Sequence, residues 1–409
     1  MKKAMLTTIA VTTLLTGGIT ANAFTAADPI QSGKVSVSQA VTAFKDINGH
    51  WAKDVITKAS ALKLIAGYED GTFRPNAKVT RAEYATILSR ATKLDQNEGK
   101  SVFPDLKGHW SETAVSQLVA QGLIQPSDYP NGFKPNQELT RYEMMKWIAN
   151  GLVKSHASFK EAFDDTKDTL LPTPEAIRGE ISSDKVPYLA LVRGAGIVEG
   201  FSDGSLKPSS TTTRAEVAAI LLRYMDVEGK DASSYKALNE LREVGTTGTN
   251  ILSISNYKYH EQSVKLSDLI ETKLTLSNKS GVMKLHRLII VNTTTGKAQG
   301  VYSSIFVGER IKKGNYMAFA DISFTSNIDK SDLIKFNQGL SNSLIQFNRI
   351  DLELANKNGL TTIPNNSAEL IKKGIEKRFW MYSALREIDW GYTLQFDNGK
   401  KFSINNYIN

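Results

Sequence analysis

Three arginines stand in nearly the same surroundings: Thr80-Arg81-Ala82-Glu83, Thr140-Arg141-Tyr142-Glu143 and Thr213-Arg214-Ala215-Glu216. A Thr-x-x-Glu ahead of an apolar run is a capping box, so each segment opens a helix with threonine at the N-cap and arginine at the first helical position. A cation there is mildly unfavourable beside the partly positive helix end, and something other than the helix must select it. One account is a receptor, because a guanidinium fork next to free backbone N–H groups suits a carboxylate or phosphate. The other is structural: each arginine pairs with a nearby acid such as Asp46, Asp105 or Asp164 and ties neighbouring segments together. Spacing alone does not separate the two. Trp51 and Trp110 stand behind His50 and His109 at helix entrances. An indole there can offer a flat face to a sugar ring, although burial as an apolar anchor is the commoner fate. One histidine per segment makes no metal-ligand pair and points to capping or packing.

The elements that hold these residues recur. Phe44-Lys45-Asp46-Ile47-Asn48-Gly49-His50-Trp51 is answered by Phe103-Pro104-Asp105-Leu106-Lys107-Gly108-His109-Trp110. Gly67-Tyr68-Glu69-Asp70-Gly71-Thr72-Phe73-Arg74-Pro75 returns as Tyr129-Pro130-Asn131-Gly132-Phe133-Lys134-Pro135 and as Gly200-Phe201-Ser202-Asp203-Gly204-Ser205-Leu206-Lys207-Pro208. The period is about 60 residues, and three copies suffice for mutual burial. Val55, Ile56, Ala59 and Leu62 fall at helical spacing, the Asp-Gly supplies a turn, and the capping box starts a second helix. A repeat therefore reads as helix, turn-rich loop, helix. The third copy departs from the pattern: Phe163-Asp164-Asp165 is kept, but Val186-Pro187-Tyr188 falls where His-Trp is expected.

Together, Phe-x-Asp, His-Trp, Gly-Tyr-x-Asp-Gly-Thr-Phe-Arg-Pro and Thr-Arg-Ala-Glu resemble the S-layer homology domain, in three copies over roughly residues 40 to 226. The resemblance implies an all-α, pseudo-threefold repeat assembly whose grooves bind secondary cell-wall polysaccharide, typically through a pyruvate ketal. It implies ligand contacts by Arg81, Arg141 and Arg214, with Asp46, Trp51, Asp105 and Trp110 as groove partners and Asp164 in the third copy. Unequal grooves are expected from the altered second and third copies.

The flanking sequence sets the rest of the expected organisation. Met1-Lys2-Lys3, the apolar stretch from Ala4 to Ile19 and Ala21-Asn22-Ala23 read as a signal peptide over residues 1–23, and no later segment has transmembrane length. The repeats are placed at 40–98, 99–158 and 159–228, a polar linker at 229–250, and an α+β domain at 251–409. The chain has no cysteine, which removes disulfides and thiol chemistry. Its net charge of +8 is uneven, with excesses of +2, 0 and +6 over residues 1–39, 40–230 and 231–409. The neutral repeat region lacks the basic stripe of a nucleic-acid binder.

In the last segment, Leu285 to Val291, Val301 to Val307 and the alternating run from Tyr316 to Phe324 read as strands. Ser331 to Leu344 and Ser367 to Leu385 read as helices, and Asp397-Asn398-Gly399-Lys400 reads as a hairpin turn. His260 and His286 look isolated, and Glu376, Glu387 and Asp389 are carboxylates without a motif. Phe379, Trp380, Tyr382 and Trp390 fit a helix face packed on a sheet more simply than a sugar site. No catalytic motif, metal cluster or cofactor loop is present in the sequence. The expectation is a non-catalytic surface protein, secreted and held in the wall, S-layer or S-layer-associated, with self-association or a surface partner. The alternatives are a wall-tethered hydrolase or an adhesin with its activity in the C-terminal domain.

Overall fold

The computed structural model describes residues 44–95, 99–308, 311–329, 333–340, 344–388 and 390–407. The expected signal peptide and Asp389 lie outside the described residues. The chain divides into two compact units, Met1–Ala77 with Thr213–Ala219 and Lys78–Thr212 with Ile220–Asn409.

The first unit holds α1 (Lys53–Ala61) and the loop that follows it. Phe44 packs on Phe73 with ring centroids 5.3 Å apart. Gly67 makes the room, since a Cβ there would lie 2.2 Å from the Phe44 ring. The Asp-Gly turn forms as its chemistry demands: Asp70 Oδ1 accepts from the Thr72 N–H at 3.0 Å and from its hydroxyl at 2.6 Å. These bonds and Arg74 hold the Asp70 carboxyl down at about 2.

The second unit carries α2 (Arg81–Ala91), α3 (Glu112–Ala120), α4 (Arg141–Ser155), α5 (Ala157–Asp165), α6 (Pro174–Ile177) and α7 (Val186–Gly194). Helix α8 (Arg214–Val227) begins in the first unit and ends in the second. Trp147, on the buried side of α4, anchors the core against α2. It stacks on Tyr84 and Phe133 at 5.5 and 6.0 Å, and its Nε1–H donates to Tyr129 Oη at 3.0 Å. Burial of a ring this size with its polar atom satisfied is worth about 2–3 kcal/mol.

The segment expected as a linker at 229–250 contains a packed helix, α9 (Lys236–Thr247), closed by Gly248 in the left-handed region. Leu238, Leu241 and Val244 are buried at helical spacing, a stripe that the surrounding polar residues hide in the sequence. Asn250 then fastens the chain to the next domain, its Nδ2 donating to Ile290 O at 2.8 Å and its Oδ1 accepting from Ile290 N–H at 2.7 Å.

The C-terminal region follows with α10 (Ile251–Ile254), β1 (Lys258–Tyr259), β2 (Leu274–Thr275), β3 (Gly281–Asn292), α11 (Ser303–Phe306) and β4 (Asn315–Ser326). Then come α12 (Leu333–Gln338), α13 (Leu352–Asn358), β5 (Glu376–Arg386), β6 (Gly391–Gln395) and β7 (Lys401–Asn405). All pairings are antiparallel, in a four-stranded sheet of order β2-β3-β4-β5 and a three-stranded sheet of order β1-β7-β6. One apolar cluster takes side chains from both, including Leu285, Ile322, Phe379, Leu394 and Phe402.

Three expectations change here. The helix read over Ser367–Leu385 is mostly β5: Phe379, Met381 and Leu385 face the core at period two while Trp380 and Tyr382 face the other way. The strand read over Val301–Val307 is the turn of α11, in which Tyr302 and Phe306 are buried. Of the helix read over Ser331–Leu344, only Leu333–Gln338 is helical among the described residues. The 397–400 turn joins β6 and β7 as expected.

Candidate glycan-binding site

Each second helix opens with a complete capping box. Thr80 Oγ1 accepts from the Glu83 N–H at 3.2 Å, and Glu83 Oε2 accepts from the Thr80 N–H at 2.8 Å. Thr140 with Glu143 and Thr213 with Glu216 repeat the exchange. The next N–H groups are not open to a ligand, contrary to the receptor account. Arg81 and Ala82 donate to Gln137 O and Pro135 O at 2.9 and 3.0 Å. Arg141 and Tyr142 donate to Ser210 O and Pro208 O at 2.8 and 2.9 Å, and Arg214 and Ala215 to Ala77 O and Pro75 O at 3.0 Å each. The orphan donors of each helix thus bind the loop of another repeat: first to second, second to third, third to first.

The arginine side chains follow the same route and are buried, at 9%, 4% and 7% exposure for Arg81, Arg141 and Arg214. Arg81 donates from Nε to Glu143 Oε1 at 2.7 Å and from Nη1 to Phe133 O and Gln137 Oε1 at 2.9 and 3.0 Å. Its ion-pair partner is therefore the capping-box glutamate of the second repeat, not Asp105. Arg141 Nε donates to Leu206 O at 2.9 Å; Arg214 donates from Nε to Phe73 O at 2.8 Å and from Nη2 to Ala66 O at 2.5 Å. Each guanidinium also lies over an aromatic ring of the loop it reaches: Tyr129 at 5.0 Å, Phe201 at 4.7 Å, and Tyr68 at 5.0 Å. Burial and then Glu143 push the Tyr129 phenol up, so it stays protonated and donates to Glu143 Oε1.

Asp46 and Asp105 shape the loops. Asp46 accepts from the Phe73 and Arg74 N–H groups at 2.8 and 2.7 Å, and Asp105 from those of Phe133 and Lys134 at 3.0 and 2.7 Å. Asp164 does not share this position. It lies on the exposed side of α5, paired with Lys160 and Lys167. In the third repeat the acceptor is Glu175, whose Oε1 takes the Leu206 and Lys207 N–H groups at 2.9 Å each. The sequence hides this exchange because Glu175 follows Thr173-Pro174 with no phenylalanine two residues earlier.

Trp51 and Trp110 are exposed, at 66% and 62%, so the apolar-anchor account fails for both. His50 and His109 act as local caps, each Nδ1 accepting from the backbone N–H two residues on, at 3.2 and 3.3 Å. Tyr188 does not replace the missing tryptophan as an open face; it packs edge-on against Phe163 at 4.9 Å.

A second polar constellation lies on β3–β4–β5. A bulge between Leu285 and Arg287 re-aims His286, whose Nε2 stands 2.8 Å from Ser323 Oγ. Its Nδ1 stands 3.5 Å from Glu271 Oε1. Burial, with Arg378 nearby, lowers the imidazole pKa and keeps it neutral. Lys284 pairs with Glu271 at 2.9 Å, and Arg378 makes a two-pronged pair with buried Asp321 at 2.9 and 2.6 Å. His286 is therefore not isolated; pattern reading missed it because the β3–β4 pairing brings Ser323 to it and the turn ahead of β2 brings Glu271, both from distant sequence. Glu376 reaches the edge of this group through Lys284 Nζ at 3.5 Å, whereas His260 and Glu387 have no place in it among the described residues.

The S-layer homology domain family matches residues 43–85, 102–145 and 180–218. The last match begins beyond Asp164, in keeping with the position of that residue on α5. An uncharacterized cell wall amidase of Bacillus anthracis is 25% identical over 279 residues, 66% of this chain and 51% of that protein. The S-layer protein of Bacillus licheniformis is 26% identical over 327 residues, 77% of this chain and 35% of its own. The cellulosome-anchoring protein of Acetivibrio thermocellus is 36% identical over 116 residues, 27% of this chain and 26% of its own. The chain spans about half or less of the length of these relatives. It carries three S-layer homology domains in its N-terminal part and belongs at the cell surface, in the wall or S-layer. No helix among the described residues is long and apolar enough to cross a membrane.

Proposed function

We propose, from three S-layer homology domains in one chain, that the protein is a non-catalytic S-layer or S-layer-associated anchor for anionic, pyruvylated secondary cell-wall polysaccharide. The repeats form an all-α pseudo-threefold assembly in this reading. Recurrence carries it: three times an arginine at a helix start lies over an aromatic ring in the loop of a different repeat. Arg81, Arg141 and Arg214 supply fixed positive charge, Asp46 and Asp105 hold the loops in shape, and Trp51 and Trp110 offer exposed faces to sugar rings. Asp164 contributes surface charge only. The C-terminal domain displays a surface for self-association or a partner.

The test is sedimentation of the full chain with cell walls before and after the polysaccharide is stripped or its ketal removed. Loss of pelleting supports the anchor, whereas undiminished pelleting sinks the polysaccharide reading. The unequal loop chemistry calls for unequal losses among the three arginine variants.

One observation favours a second reading, a wall-tethered hydrolase: Ser323, His286 and Glu271 stand in the order of a nucleophile, a neutral base and an orienting carboxylate. Covalent labelling of the full chain by a fluorophosphonate, absent from Ser323→Ala, would establish it; no labelling of the parent chain would remove it.

A further inference from the structure

The sheet β1-β7-β6 ends in a cavity of about 360 Å³, within the size range of small-ligand sites. Lys258 on β1 pairs in register with Asn405 on β7, and Asn405 pairs with Gly391 on β6, so these residues form one row across the sheet. Tyr407 lies two positions beyond Asn405 and projects to the same side. The missing side chain at Gly391 is what lets the tyrosine ring lie back along the sheet. A Cβ on Gly391 would come within 2.8 Å of the Tyr407 Oη and 3.4 Å of its Cζ. The ring is 58% exposed. Asn256 and Glu387, with the apolar Ile388, complete the wall.

The floor is rigid. Buried Asn406 accepts from the Trp390 N–H at 2.7 Å and donates to Arg386 O and Glu387 O at 3.2 and 2.7 Å. The side chains of Asn256, Lys258, Glu387, Asn405 and Tyr407 make no hydrogen bond or ion pair with another described residue. Five polar groups without a partner among the described residues thus line one cavity beside an aromatic face.

We infer that this cavity is a second glycan site, for an N-acetylated pyranose of a wall glycan. An aromatic face covers the C–H side of a sugar ring. Amides match an acetamido N–H and C=O, and a neighbouring cation and carboxylate share the hydroxyls, each of which donates and accepts. A small anion suits the cavity less well because Glu387 opposes it, and an apolar ligand would leave the amides unpaired. The site is remote in sequence from the arginine helices and does not depend on what they bind.

Calorimetric titration of the full chain with chitotetraose tests it. Saturable one-site binding is expected, weakened about tenfold, or about 1.4 kcal/mol, by Tyr407→Ala and by Asn405→Ala. Unfolding transitions of the variants show that each remains folded, and the paired substitutions keep the test meaningful if one does not. Competition by muramidase-released peptidoglycan strands or by stripped wall polysaccharide then identifies the natural source. The inference is overturned if neither chitotetraose nor either wall glycan binds in a manner sensitive to these two residues.

Discussion

Glu240 gives the strongest pH prediction. It is a buried carboxyl on α9, where Oε2 accepts from Asn250 Nδ2 and from the Val301 N–H at 3.2 Å each. Burial lifts it from 4.5 to about 7, with the two donors pulling the other way. The folded chain thus holds this proton more tightly than the unfolded chain. The stability it contributes is fully present below pH 4.5 and is lost as pH rises through about 7. Complete ionisation costs about 3 kcal/mol. Glu243, also raised by burial, adds to the slope with the same sign. Glu240→Gln keeps one oxygen for both donors and removes the charge. Urea unfolding of the parent and this variant should show near-equal stability at pH 5 and an advantage of about 2–3 kcal/mol for the variant at pH 8. A difference that stays constant between those pH values would refute the assignment.

Trp51→Ala combined with Trp110→Ala removes two exposed indoles and should change stability by less than about 1 kcal/mol while reducing pelleting on walls; unchanged pelleting would take both from the groove. Arg81→Ala leaves the Glu143 carboxylate buried beside Tyr129 without its cation, and thermal melting should report a loss of about 3 kcal/mol, partly recovered by adding Glu143→Gln. An unchanged melting curve would contradict the buried-pair account.

Local chemistry was the legible part of this sequence. Capping boxes, Asp-Gly turns and the β6–β7 hairpin each depend on residues a few positions apart, and all formed as read. What depends on distant partners was not legible. Asp164 carries the right residue type after a phenylalanine, yet α5 continues through it, and Glu175 takes the loop N–H groups instead. The β5 strand was read as a helix because Phe379, Trp380 and Tyr382 suit either period until the two faces find different partners. At the repeat junctions, spacing placed each arginine at its helix start but not the carbonyls that reach it. Those partners lie about fifty residues away or farther.

One backbone feature bears directly on the anchor. Arg74, Lys134 and Lys207, each before a proline, have φ of 57°, 55° and 48°, in the left-handed region where a side chain costs about 1–2 kcal/mol. Glycine would remove that strain at an unfolded-state cost of about 0.5–1 kcal/mol, and the ion pairs it would break, Arg74 with Asp70 at 3.1 Å and Lys207 with Asp203 at 3.5 Å, are exposed and weak, so the fold asks little of a cation at these positions. A cation nevertheless stands there three times. Arg74 lies 3.8 Å over Tyr68 and Lys207 4.2 Å over Phe201, the rings that Arg214 and Arg141 also approach. Two cations over one loop ring raise the local positive potential, which an anionic polymer would favour and the folded protein alone would not. Replacing Arg74, Lys134 and Lys207 together by glycine should therefore leave stability unchanged or raised by up to about 1 kcal/mol per site, while making wall pelleting weaker and less salt-sensitive. Undiminished pelleting at low salt would show that these cations serve the loops and not the ligand.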